Sequence, residues 1–297
     1  MRRRPDLINI GSHRSFASVK SRQSPRSEHS AFLTHHSSLG RSAAENMLNK
    51  AHITRLRSLQ EKRNREALGL FVVEGEKVVA EILKQQGDHM PIELYLTEDG
   101  PSAIRAHPLA QLITSEQMQR ISHFPTPSTT LAVIPQVRRP LEIGALQHGR
   151  TLALDGVQDA GNVGTLIRVA DWFAFDRVLL SPDCADLFSQ KVVNASMGSF
   201  MHLPVHTSAL VPALREVLST PKTHAEILGC DMVGEDVHRV EPLSNVIVVV
   251  GSEGRGLSKE VRECITRFVT IPRFGQAESL NAATAAAIVC DQIRRKA

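Results

Sequence analysis

The sequence predicts an α/β protein built on a parallel β-sheet, preceded by a small α/β unit and a basic tail. Two observations carry this. Across residues 139–297, short apolar runs such as TLALD (151–155), RVLLS (177–181) and NVIVVV (245–250) alternate with amphipathic stretches of helical period. Strands that are apolar on both sides belong in parallel sheets covered on both faces. Residues 1–46 hold seven Arg and one Lys against three acidic residues, so the net charge of +4 resides in the tail and the rest is nearly neutral.

Composition narrows the function classes. The chain has 297 residues, 42% hydrophobic and 22% charged, which suits one large or two ordinary domains. No apolar run approaches a membrane span, and no apolar h-region lies near the start. Cys184, Cys230, Cys264 and Cys290 are far apart and form no CxxC pair, which points to reduced thiols in a cytoplasmic protein and to no metal site. The Ser/Arg-rich tail has the composition of a disordered segment. It reads as a solvated extension, an RNA-attracting arm or an organelle transit peptide; Met47 opens the first patterned segment and so is an alternative start.

In residues 47–138 the pattern runs helix, strand, helix, then short strands. HITRLRSLQEKRNREAL reads as one basic helix, with Ile53, Leu56 and Leu59 at helical spacing. A short strand from Leu70 to Val73 leads into an amphipathic helix. ELYLT (93–97) and Leu131–Ile134 read as further strands. In residues 139–297, strands at 151–155, 177–181, 225–230, 245–250 and 268–272 alternate with helices, the last of them long and alanine-rich.

Three glycine-bearing bends follow strands of this second part, where open α/β sheets bind ligands. GSEGRGLS (251–258) is neither GxGxxG nor a P-loop, and its glycines would permit positive φ and close backbone approach. Its plain structural reading is a tight strand-to-helix turn. LDGVQDAGNVGTLIRVADWF (154–173) places Asn162 at a helix N-cap and Arg168 six residues on, where an arginine is ordinarily solvated. IPRFGQAESLNAATAAAIV (271–289) sets Ser279, a candidate N-cap, and Asn281 before a helix of small residues suited to close packing.

NVGTLIR, GSEGRGLS and IPRFGQAESLN, in this order and spacing, resemble the three motifs of the SpoU-type (TrmH-like) RNA ribose 2′-O-methyltransferases of the SPOUT superfamily. The small unit resembles the family's substrate-binding domain through FVVEGEKVVAEIL (71–83) and the basic helix before it. The resemblance covers about 49–297. It implies a deep trefoil knot in the second part, a homodimer, and S-adenosylmethionine as cofactor. Leu228, Gly229, Gly251, Ser252, Glu253, Gly254, Gly256, Ile271, Pro272, Ser279 and Leu280 would line the cofactor pocket. Arg168 and Ser279 map to the pair that activates the ribose hydroxyl, and Asn162, Glu253 and Asn281 to residues that position substrate and loops. A guanidinium holds its proton above pH 12, so Arg168 could equally stabilise the forming alkoxide.

Departures from the family pattern are conservative: Ala160 for a common proline, Ala174 for a common glycine, and Ala283 for a small polar residue. With a near-neutral body, RNA (transfer or ribosomal) must be held by local patches. Arg55, Arg57, Lys62, Arg63 and Arg65 are the candidates, together with Glu74 of the resembling stretch. Two other classes compete: a non-catalytic RNA-binding or ribosome-assembly protein of the same fold, and a nicotinamide-dependent oxidoreductase, which the missing GxGxxG disfavours.

Overall fold

The structure is a computed structural model that describes residues 48–84, 90–220 and 225–295. The readings of residues 1–46 lie outside the described residues.

The first part contains α1 (Lys50–Ser58), α2 (Lys62–Leu68), β1 (Leu70–Glu74), α3 (Glu76–Lys84), β2 (Glu93–Leu96), α4 (Ser102–Arg105), β3 (Ala110–Leu112), α5 (Ser115–Ile121) and β4 (Thr130–Pro135). Its sheet has the order β1-β4-β2-β3; β4 is antiparallel to both neighbours, and β2 and β3 run parallel. The single basic helix expected over 52–68 is broken into α1 and α2. Side chains of α2 take the carbonyls that a continuing helix would use. Arg65 donates from Nη1 to the Leu59 and Gln60 carbonyls at 2.9 and 2.6 Å, and Asn64 Nδ2 to that of Ser58 at 3.0 Å.

The second part contains β5 (Arg150–Asp155), α6 (Ala160–Trp172), β6 (Arg177–Leu180), α7 (Gln190–Ser196), β7 (Val205–Thr207), α8 (Leu210–Ser219), β8 (Glu226–Asp236), β9 (Val246–Gly251), α9 (Lys259–Arg262), β10 (Arg267–Thr270) and α10 (Ala282–Arg294). The six strands lie in the order β10-β8-β9-β5-β6-β7, and every neighbouring pair is parallel. This is the predicted α/β architecture. Its faces are covered as the all-apolar strands require. Val163, Leu166, Val192, Ala286 and Val289 pack on one side, and Leu210, Leu214, Val217 and Val261 on the other.

The two sheets share a core, because Phe71 of β1 meets Phe188 with ring centroids 5.0 Å apart and Phe200 at 6.0 Å. Beside these rings, Arg65 pairs with Asp186 at 2.7 Å, with side chains only 6% and 10% exposed. Arg138 adds a second cation 3.7 Å from Asp186 and stacks over Phe188. Arg65 therefore holds a helix break and the seam between the sheets at once.

The end of α6 explains one departure noted above. The Phe175 N–H bonds the Ala170 carbonyl and the Ala174 N–H that of Asp171, a Schellman closure with Ala174 at φ 49°. Glycine suits that position, and an alanine held there costs about 1–2 kcal/mol.

Arg65→Ala is expected to destabilise the protein by about 3–5 kcal/mol in urea unfolding, since it leaves a nearly buried carboxylate with only the more distant Arg138 and frees the carbonyls of Leu59 and Gln60. Lys62→Ala, which loses a solvated contact to Glu66 at 4.0 Å, should change stability by about 0.5 kcal/mol or less.

Candidate functional site

The site lies where β5 and β9 end at their carboxyl edges and the segment after β10 returns to α10. β9 leaves the sheet into a closed bend. Ser252 and Gly256 exchange backbone hydrogen bonds, Ser252 N to Gly256 O at 3.2 Å and Gly256 N to Ser252 O at 2.8 Å. The three glycines have different reasons. A Cβ on Gly251 would lie 2.2 Å from the Gly256 carbonyl carbon, so the bend's exit rests on its entrance. Gly256 has φ +66°, and of the three only it uses the left-handed region. A Cβ on Gly254 would meet nothing within 4 Å, which leaves open space beside the tip.

Helix α6 starts at Asp159, which is the N-cap in place of the expected Asn162. Its carboxylate accepts from the Asn162 N–H at 2.8 Å and from Lys191 Nζ at 2.8 Å. Lys191 first, then the Asn162 N–H, hold the Asp159 carboxyl below its ordinary range. Asn162, in the first turn of α6, thus has its side chain free. Helix α10 starts at Asn281, not at Ser279: the Asn281 Oδ1 accepts from the N–H groups of Ala283 and Thr284 at 2.9 and 3.3 Å.

These two corrections place the polar side chains. With its oxygen committed, Asn281 donates from Nδ2 to Asn162 Oδ1 at 2.9 Å. Asn162 then donates from its own Nδ2 to Glu253 Oε1 at the tip of the bend. Residues 91 and 119 positions apart in the chain meet through one amide. A carboxylate oxygen of Glu253, as an acceptor, suits the end of this relay.

The other expected residues stand around it. Arg168 is exposed on α6, about 9 Å of helical rise beyond Asn162, and no hydrogen bond joins it to the relay. Ser279 and Leu280 are exposed on the segment before α10; Ile271 and Pro272 are half-buried just after β10. Leu228 is fully buried, and Leu228 and Gly229 are paired to β9 on one side and β10 on the other. β8 leaves β9 just after Gly229. Burial pushes the Cys230 thiol up to about 12 and Cys290 well above its ordinary value, so neither supplies a thiolate. Among the described residues no group of three or more His, Cys, Asp or Glu is placed to hold a metal ion.

The basic residues of the first part divide sharply. Arg65 is 5% exposed and Glu74 fully buried, and both serve the fold instead of offering a surface to RNA. Glu74 accepts from Ser122 Oγ and from the His123 N–H, each at 2.6 Å. Arg55 is half-buried against Glu93 at 2.6 Å, and Arg57 donates to the Ser122 carbonyl. Lys62 and Arg63 are exposed.

Asp155 and Asp159 were not among the expected residues. An Asp three positions before Asn162 is itself an N-cap signal, and could have been found. The partner of Asp155 lies across the sheet and leaves no local trace.

Gly251→Ala should destabilise the protein by about 1–3 kcal/mol, because backbone atoms must move to admit the methyl group. Gly254→Ala, with open space and no positive φ, should stay within about 0.5 kcal/mol of the parent in the same thermal and urea unfolding experiments.

Comparison with known proteins agrees with this geometry. Residues 149–291 match the model of the SpoU rRNA Methylase family, and residues 50–132 that of the MRM3-like substrate binding domain. A TrmH-family protein from Porphyromonas gingivalis is 36% identical, with a TM-score of 0.72 over 84% of this chain and 98% of that one. An AdoMet-bound rRNA methyltransferase from Sinorhizobium meliloti, 24% identical, shares the fold, with a TM-score of 0.71 over 84% of this chain and 95% of its own. The 23S rRNA (guanosine(2553)-2′-O)-methyltransferase RlmP of Bacillus subtilis is 29% identical over 239 residues, 80% of this chain and 94% of its own length. With its three motifs joined at one sheet edge and both parts of its described structure matched, the chain belongs to the SpoU/TrmH family of RNA methyltransferases.

Proposed function

We propose that the protein transfers a methyl group from S-adenosylmethionine to a ribose 2′-hydroxyl of transfer or ribosomal RNA. The observation that carries this is the relay from Asn281 through Asn162 to Glu253, which ties the three motif segments together. A protein that had lost catalysis would have no need to keep that arrangement. The activity printed for RlmP, a 2′-O-methyltransferase similar over most of its length, supports the same reading.

The residues present fit the cofactor. Open space lies beside Gly254 and Gly256 of the bend, and half-buried Ile271 and Pro272 add apolar surface. When bound, S-adenosylmethionine supplies a methyl group activated by its sulfonium. The chain's task is alignment and proton management. Ser279, on the exposed segment before α10, would hydrogen-bond the ribose hydroxyl. The guanidinium of Arg168 stabilises the alkoxide or holds the adjoining phosphate. Asn162 and Asn281 keep Glu253 and the bend in place. No step requires a metal.

The finer reading includes a trefoil knot formed as the segment after β10 passes into α10, a homodimer, and a cytoplasmic site of action. Residues 47–138 receive the RNA, with Lys62 and Arg63 as the exposed cations and Arg57 beside them. The packing of α10 against α6, with buried Ala282, Ala283 and Ala286, supports a role for small residues in close passage of the chain.

Arg168→Ala is expected to lower turnover by about 10³-fold while leaving S-adenosylmethionine affinity within a few-fold of the parent. The assay follows labelled methyl from the cofactor into RNA, with affinity measured by calorimetry. Normal turnover by the variant would refute the assignment.

A further inference from the structure

Asp155 is the last residue of β5, 8% exposed, and its main chain is in register with Gly251 of β9. Its Oδ2 accepts from the Ser258 N–H at 2.6 Å. Ser258 is the residue at which the bend ends and α9 begins. Among the described residues, this is the one hydrogen bond by which a side chain from outside 251–258 holds the main chain of that segment.

We infer that Asp155 is a positioning residue for the cofactor, holding the bend 251–258 in its binding shape by fixing its exit beside its entrance. This rests on the methyl-transfer reading above. The tip of the bend is held by a side-chain contact, Glu253 to Asn162, and its waist by the Ser252–Gly256 bonds. The entrance belongs to the sheet. The exit runs on from Gly256, whose φ of +66° and missing side chain leave its path to be fixed by what lies beyond the Ser252–Gly256 bonds. A charge-assisted bond from a nearly buried carboxylate closes that freedom. Leu257, 4% exposed, keeps the segment folded onto the core whether or not the bond is made, and the exposed Ser258 can turn its N–H to water. Loss of the bond should therefore loosen main-chain groups that meet the cofactor more than it destabilises the protein.

The test is calorimetric titration of the full chain with S-adenosylmethionine, beside single-turnover methyl transfer at saturating cofactor. Asp155→Ala should weaken binding on the order of 10- to 100-fold, the range for a hydrogen bond to a charged group. Asp155→Asn, which keeps an acceptor oxygen, should recover affinity to within about 5-fold. The saturated single-turnover rate should change by less than about 3-fold in either variant, a split between binding and chemistry that general destabilisation would not give. A second variant avoids dependence on the folding of Asp155→Ala. Ser258→Pro removes the donor at a residue whose φ of −62° suits proline. It should reproduce the loss, and adding Asp155→Ala to it should cost nothing further. Parent-like affinity in Asp155→Ala, or losses that multiply in the double variant, would overturn the inference. A parent protein that fails to bind S-adenosylmethionine would overturn the methyl-transfer reading itself, and that result is visible before any variant is made.

Discussion

The candidate site depends on the direction of one hydrogen-bonded relay. Asn281 spends its oxygen capping α10, so its amide nitrogen must donate outward. Asn162 is then obliged to turn its oxygen toward Asn281 and its nitrogen toward Glu253. The polarity of the chain is set at a helix terminus and read out at the tip of a bend on another strand. Asn162 and Asn281 are short side chains with little rotamer freedom to lose, so their hydrogen bond joins the starts of α6 and α10 at small entropic cost. In a site expected to align a sulfonium methyl with a ribose hydroxyl, such positioning is where most of the rate advantage can come from.

The rest of the molecule gives that relay a rigid base. Both helices that carry it, α6 and α10, pack on the same face of the six-stranded sheet, in a core that continues without interruption into the four-stranded one. Gly164 is part of this: a Cβ there would lie 2.5 Å from that of Ala195, so α6 and α7 touch backbone to backbone. The buried Arg65–Asp186 pair locks the first part against the second. The small unit is then held in constant relation to the carboxyl edge of the large sheet.

Much of this was legible in the sequence, and the failures have physical causes. The alternation of all-apolar strands with amphipathic helices is a local signal, and it marks most of the large sheet correctly. β3 and β7, three residues each, are too short to show a period. The break between α1 and α2 was invisible because the residue responsible, Arg65, looks like any other charge on a basic helix. It acts by reaching back to carbonyls and across to Asp186, a residue 121 positions away. The same kind of error moved both helix starts: Asn162 and Ser279 have good capping chemistry, but Asp159 and Asn281 occupy the caps. Glycine in GSEGRG signalled a tight bend, yet only the folded chain separates Gly251, excluded from having a side chain by contact, from Gly256, chosen for φ. Motif residues were found by type and spacing; their mutual geometry needed the fold.

The most direct measurement is a double-mutant cycle on the relay, using the single-turnover rate of methyl transfer to RNA at saturating S-adenosylmethionine. The account predicts that Asn162→Ala and Asn281→Ala each slow the reaction and that the double variant is about as slow as the slower single one, because both cuts sever the same chain of hydrogen bonds. If the two losses multiply in full, the residues act independently and the relay does not organise the site.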